Sequence, residues 1–101
     1  MERISHDQLD AKLLATPFVI LDFTSPGCAP CKKIAQALPA LLAELQPAPV
    51  AAYEVDVTTD ASVAARFFVL GVPTLVVLKG TREIGRFNSL PKADTIRRLL
   101  Y

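Results

Sequence analysis

The sequence predicts an α/β fold in which a mixed sheet of four or five strands carries helices on both faces. Helical and strand-like patterns alternate along nearly the whole chain, which is typical of βαβ units with parallel strands. The last two strand patterns are separated only by the turn at 79–82, and so short a connection requires an antiparallel pair. At 101 residues, the chain is expected to form one domain, over residues 1–101.

The bulk composition narrows the class of function. Hydrophobic residues make up 51% of the chain and charged residues 21%, which suits a packed core rather than disorder. The formal net charge is only +1, so no nucleic-acid partner is expected. No apolar run reaches the roughly 20 residues of a membrane helix, so no membrane partner is expected either. The polar N-terminal residues predict a cytoplasmic protein.

The first elements are a short edge strand over residues 2–4 and a helix. Ser5 and Gln8 form a capping-box pattern at the start of this helix. Three leucines form its apolar stripe, namely Leu9, Leu13 and Leu14. The dipeptide at 16–17 ends the helix, because proline disfavours helical geometry in the residue before it.

The next two elements are a buried strand and a long helix. Phe18–Phe23 is almost continuously apolar, which is typical of a central strand covered on both faces. Its one charged residue is Asp22. From Ala29 the apolar residues follow helical spacing. Pro39 lies inside this helix and is expected to kink it, and Gln46–Pro49 ends it.

The second half of the chain predicts a strand, a helix, a strand hairpin and a final helix. These elements are expected at Val50–Val57, 61–68, Thr74–Leu78, Glu83–Asn88 and Pro91–Leu100. Residues 58–60 offer N-caps for the first of these helices. Pro91 suits the first turn of the last one.

The two cysteines, Cys28 and Cys31, lie between the buried strand and the long helix. A helix N-terminus favours a thiolate through its free N–H groups and its dipole. The spacing also permits the Cα separation of about 4.4–6.8 Å that a disulfide needs. A static disulfide and two incidental thiols are the alternatives, although so small a ring adds little stability. Structural zinc takes four ligands and the chain adds only a distant His6, so no metal is expected within one chain.

Three separated segments carry a family resemblance: Leu21–Phe23, Cys28–Lys32 and Gly71–Thr74. In this order they resemble the thioredoxin family over nearly the whole chain. The resemblance implies a thioredoxin-like fold and a thiol–disulfide oxidoreductase that reduces protein disulfides. It implies no bound cofactor, only a redox-active disulfide between Cys28 and Cys31. Electrons would come from NADPH through a separate thioredoxin reductase-type donor, and we expect a monomer.

The resemblance also implies roles for residues near the cysteines. Cys28 would be the nucleophile, Cys31 the resolving thiol and Asp22 the proton acceptor. Burial would raise the pKa of Asp22, which suits a group that exchanges a proton with a thiol. Ala29 would leave the sulfur accessible, and Pro30 would stiffen the first helical turn. Lys32 could favour the thiolates, although a solvated helix residue is the plainer interpretation.

A substrate-binding edge is implied beside this motif. A cis peptide bond before Pro73 would let Val72 present its backbone N–H and C=O to an added substrate strand. Four further residues are expected to line the binding groove, namely Thr24, Gly27, Gly71 and Thr74.

The chain also departs from the family pattern. Gly27 and Thr24 stand where aromatic residues are usual, Gln36 where proline is usual, and Asn88 where glycine is common; Ala29 replaces the commoner glycine. These changes alter the surface that meets partners. Two other functions therefore stay open: a redox-silent binding adaptor, and a metal-binding module that shares its cysteines between two chains.

Overall fold

A computed structural model describes all 101 residues of the chain. It contains nine elements in the expected order of strands and helices. They are β1 (Glu2–Arg3), α1 (Leu9–Ala15), β2 (Phe18–Thr24), α2 (Ala29–Leu45), β3 (Val50–Asp56), α3 (Ala61–Arg66), β4 (Thr74–Lys79), β5 (Arg82–Phe87) and α4 (Ala93–Leu100). None of the helices has both the length and the apolar character needed to cross a lipid bilayer.

The five strands form one mixed sheet in the order β1-β3-β2-β4-β5. The β1–β3 and β2–β3 pairs are parallel, and the β2–β4 and β4–β5 pairs are antiparallel. Every residue of the central strand β2 is buried, which explains its continuous apolar sequence. The prediction of a mixed sheet with a terminal hairpin is therefore confirmed.

A separate apolar core lies on each face of the sheet. Residues of α1 and α3 pack on one face, and residues of α2 and α4 pack on the other. In β2, Leu21 and Phe23 belong to the first core, whereas Phe18 and Ile20 belong to the second. Because side chains alternate along a strand, Asp22 lies on the α2 and α4 face.

The beginning of α1 differs from the capping-box prediction. The helix begins at Leu9, and Gln8 Oε1 accepts a hydrogen bond from the Ser5 N–H at 3.0 Å. Only the backward half of the box is formed, because no side chain caps the helix. The apolar stripe of α1 is also narrower than predicted, because Leu9 and Leu13 are buried but Leu14 is 83% exposed.

The third helix, α3, begins at Ala61 as predicted, but its side-chain cap, its end and the start of α4 differ from the prediction. The carboxylate of Asp60 does not cap α3, because it accepts a hydrogen bond from the His6 N–H at 2.9 Å. The helix ends at Arg66 rather than at residue 68. The last helix begins at Ala93, so Pro91 precedes it instead of lying in its first turn.

Candidate active site

The two cysteines form a disulfide where β2 leads into α2. Cys28 is the N-cap of α2, and Cys31 lies in its first turn, with Cα atoms 5.3 Å apart. The Cys28 side chain is half-buried, whereas Cys31 is only 2% exposed. Solvent and partners can therefore reach one sulfur far more easily than the other.

Local backbone geometry places Cys28 at the helix end. Gly27 has a φ of +76°, a conformation that glycine adopts readily and other residues do not. The chain can therefore turn sharply between strand and helix. Cys28 Sγ accepts a hydrogen bond from the Cys31 N–H at 3.3 Å. The sulfur thus faces the free N–H groups of the first turn, where negative charge is favoured. Ala29 and Lys32 are both exposed.

Asp22 is a fully buried carboxyl group on the sheet face covered by α2. Neither of its oxygens has a hydrogen-bond partner. Burial, with a smaller contribution from the nearby Glu54 carboxylate, raises the pKa of Asp22 from 3.8 to about 6. Loss of water contacts disfavours the charged form. A proton can therefore leave or join this group close to neutral pH.

Three charged residues lie side by side across three strands. Arg3 is the register partner of Glu54, and Glu54 is the register partner of Asp22. Arg3 Nη2 lies 2.5 Å from Glu54 Oε1. We call Arg3, Glu54 and Asp22 the charge row. Sequence reasoning singled out only Asp22, because the other two become its neighbours only through strand pairing.

A cavity of about 230 Å³ lies between the buried cysteine and two members of the charge row, Arg3 and Glu54. Its lining includes Arg3, Glu54, Cys31, Thr24 and Gly27. A space of this size, with the charged groups of Arg3 and Glu54 in its wall, can hold water. Thr24 and Gly27, which were expected at the substrate-binding groove, lie at this cavity.

The loop before β4 contains the other residues expected at the groove. The Val72–Pro73 peptide bond is cis. Thr74 Oγ1 donates a hydrogen bond to the Gly71 carbonyl at 2.7 Å, which closes the loop. Val72 lies outside the strands, and no backbone hydrogen bond uses its N–H or C=O. These two groups are available to a bound polypeptide.

Two shallow grooves meet at Pro73 and Asn88. One, of about 330 Å³, extends to Pro30 of the cysteine motif. The other, of about 360 Å³, extends to Phe68 and Leu70. The shared residues make one continuous depression that runs from the motif, past the cis peptide bond, to the loop after α3. Sequence reasoning did not identify Phe68 or Leu70, because Phe68 was expected at the end of a helix and an apolar residue in a loop, such as Leu70, gives no sign of its exposure.

Comparison with known proteins assigns the family. The thioredoxin family model matches residues 1–101. The chain belongs to the thioredoxin family. A thioredoxin of Chlamydia trachomatis is 32% identical over 90 residues, which cover 89% of this chain and 86% of the relative. A thioredoxin of Echinococcus granulosus is 32% identical over 100 residues, which cover 99% and 91% of the two chains.

A solved thioredoxin structure supports the fold. A mutant thioredoxin from Halobacterium salinarum superposes with a TM-score of 0.80 at 23% identity, over 99% of this chain and 86% of that chain. The thioredoxin-like fold is thereby confirmed.

Family membership and the cysteine pair together establish the class of activity. Thioredoxins are disulfide oxidoreductases that use a redox-active disulfide, and this chain is a thiol–disulfide oxidoreductase with its disulfide at Cys28 and Cys31. The family implies protein disulfides as substrates and a reductase as the electron donor. Neither alternative, the redox-silent adaptor or the metal-binding module, is favoured. No group of three or more His, Cys, Asp and Glu side chains is arranged to hold a metal ion.

Proposed function

We propose that this protein reduces disulfide bonds in other proteins, with Cys28 as the attacking thiolate and Cys31 as the resolving thiol. The unequal exposure of the two sulfurs at the N-terminus of α2 carries this assignment. The reactive sulfur of a protein-disulfide reductase must be reachable by a bulky partner. The resolving sulfur must instead be shielded until the mixed disulfide forms.

The reaction proceeds in two exchange steps. The Cys28 thiolate attacks one sulfur of the substrate disulfide, which forms a mixed disulfide and expels the other substrate sulfur as a thiolate. Cys31 then loses its proton and attacks Cys28 Sγ, which expels the second substrate sulfur. Two electrons pass to the substrate, and its two sulfurs take up protons. The protein is left with the Cys28–Cys31 disulfide.

Asp22 is proposed to accept the proton of Cys31. Its burial on the α2 face and its pKa of about 6 support this role, because the carboxylate is mostly ionised at neutral pH yet still basic enough to take a proton. The cavity beside Cys31 is also lined by Glu54, the register partner of Asp22, and would hold water close to this part of the sheet.

Val72 is proposed to dock the substrate through its backbone. An extended segment that pairs with the Val72 N–H and C=O would add a strand next to the motif. Gly71, Pro73 and Thr74 shape this edge, and Ala29 and Pro30 leave the approach to Cys28 open. Lys32 is proposed to favour the thiolates electrostatically.

We also propose how the chain is organised, what reduces it and where it works. The chain would act as one domain over residues 1–101 and as a monomer. A thioredoxin reductase-type enzyme would reduce its Cys28–Cys31 disulfide again with electrons from NADPH. A cytoplasmic location fits its chemistry, because a reducing compartment keeps a catalytic dithiol in its active form.

Reduction of insulin disulfides with dithiothreitol as electron donor tests this proposal. The native protein should accelerate precipitation of the insulin chains well above the rate with dithiothreitol alone. Cys28→Ser should abolish the acceleration, because it removes the nucleophile. Ala43→Ser, an exposed change on the same helix but away from the groove, serves as the control. A native protein no faster than dithiothreitol alone would contradict the proposal.

A further inference from the structure

Two large apolar side chains project into solvent at the end of the substrate groove. Phe68 is 80% exposed and Leu70 is 99% exposed. We call this pair the apolar ridge. Neither residue belongs to the two buried cores, so packing within the chain does not account for their size. A contiguous exposed apolar patch that packing within the chain does not explain can mark a surface that binds a partner.

The backbone conformation at position 68 is also unusual for a phenylalanine. Its φ is +55°, in the left-handed region, which is unfavourable for a bulky side chain. Val69 N–H donates to the Ala64 carbonyl at 2.8 Å and Phe68 N–H to the Ala65 carbonyl at 3.1 Å. This is the Schellman arrangement at a helix C-terminus, in which glycine is the usual residue at the position of Phe68. Folding alone would favour glycine here.

The ridge is held in place from the neighbouring sheet. The Arg86 guanidinium donates hydrogen bonds to the carbonyls of Phe67 and Phe68 and is also paired with Glu83. Arg86 is the only charged residue that lines the groove beside the ridge. The N–H donors of Arg86 are already engaged within the chain. A ligand at this end of the groove would therefore contact mainly the apolar side chains of Phe68 and Leu70.

The groove joins the ridge to the redox centre. The depression that begins at Pro30 continues past Pro73 and Asn88 and ends at Phe68 and Leu70. A polypeptide that pairs with Val72 while its disulfide meets Cys28 lies along this path. A side chain of this segment, close to its cysteine, would then reach the ridge.

We propose that the apolar ridge selects protein-disulfide substrates whose reactive cysteine lies in an extended segment with large aliphatic or aromatic neighbours. This inference rests on the proposed function, because it assumes that the Val72 edge docks the substrate. Binding gains from covering Phe68 and Leu70, which the free protein leaves in water. A segment with small polar neighbours makes no such gain.

Two model peptides test the proposal, each an identical pair of chains joined by a single disulfide. Leucines flank the cysteine in one peptide, and serines flank it in the other. The native protein should reduce the leucine peptide with a kcat/KM about tenfold higher. Leu70→Ser should bring this ratio close to one. Leu14→Ser, at an exposed leucine on α1, should leave the ratio unchanged.

The variant Phe68→Gly distinguishes a role of this residue in substrate recognition from a role in folding. Glycine suits the left-handed backbone at this position, so the variant should melt at the native temperature or higher. Its preference for the leucine peptide should nevertheless fall several-fold. A preference unchanged in both Phe68→Gly and Leu70→Ser would overturn the proposal.

Other outcomes are distinguishable from these. If the native protein reduces neither peptide, the proposed function itself fails. If sedimentation shows a concentration-dependent dimer that Leu70→Ser abolishes, the ridge binds a second copy of the chain, which would also overturn the proposal.

Discussion

Asp22 lowers the stability of the folded protein but supplies a group that can accept a proton. A buried carboxyl group without hydrogen-bond partners is costly in its charged form. Its pKa in the folded protein, about 6, exceeds the ordinary value of 3.8. The folded state therefore loses stability as the pH rises between these two values, and the full loss is present above pH 6. An apolar residue would avoid this loss, so the acid is better explained by proton transfer than by folding.

Replacing Asp22 by Asn should slow turnover in the insulin assay by at least about tenfold at pH 7, since a general base commonly contributes more than that. In the native protein the rate should rise as the pH passes through about 6 and the carboxylate forms. The variant should lack that rise, because an amide does not titrate in this range. Rates measured from pH 5 to 9 check both expectations.

A matched substitution controls for surface charge. Asp94→Asn removes a carboxylate whose side chain is 78% exposed, so its pH profile should match that of the native protein. If Asp22→Asn keeps the native rate and the native rise near pH 6, Asp22 is not the proton acceptor.

Strands β1, β3 and β2 act together by placing the charge row on one sheet face. Each strand contributes one residue at the same register level, namely Arg3, Glu54 and Asp22. Glu54 repels a negative charge on Asp22, whereas Arg3 pairs with Glu54 and offsets its charge. The proton affinity of the buried acid is therefore set by sheet pairing as well as by burial.

Replacing Glu54 by Gln should lower the pKa of Asp22 from about 6 without restoring its ordinary value. The like charge is removed and Arg3 keeps only Asp56 as an ionic partner, and both changes favour the Asp22 carboxylate. Burial, which is the larger cause of the shift, stays. Carbon-13 NMR titration of the Asp22 carboxyl group in the oxidised protein measures the effect.

Glu44→Gln is the control for this titration, because Glu44 is exposed on α2 and should leave the pKa of Asp22 unchanged. An Asp22 pKa that stays the same or rises in Glu54→Gln would show that the charge row does not tune the acid.

Elements with strong local patterns were predictable from the sequence, but their ends were less so. The continuous apolar run of β2 reflects burial on both faces of the strand, and the apolar stripe of α2 reflects burial on one face of the helix. The type of each element therefore follows from its pattern. The side-chain cap of α3 was predicted wrongly, because the Asp60 carboxylate bonds to His6, far away in sequence. Contacts of this kind leave no local signal.

For the whole molecule, the order of elements and the mixed sheet could be predicted, because a short hairpin and a βαβ unit each permit few arrangements. The cysteine motif could also be identified, since its residues are contiguous. The charge row and the apolar ridge could not. The row depends on strand order, which brings residues 3, 22 and 54 together. The ridge depends on the exposure of Phe68 and Leu70, which only the packed structure reveals.

The central claim is that Cys28 attacks the substrate and Cys31 resolves the mixed disulfide. Trapping that mixed disulfide tests it most directly. Reduced Cys31→Ser is incubated with insulin and then analysed by mass spectrometry without reductant. We predict a covalent adduct at Cys28, because the resolving thiol is missing and the intermediate accumulates. Reduced Cys28→Ser should give little or no adduct, because Cys31 is buried. An adduct that forms equally well through Cys31, or none in Cys31→Ser, would contradict the account.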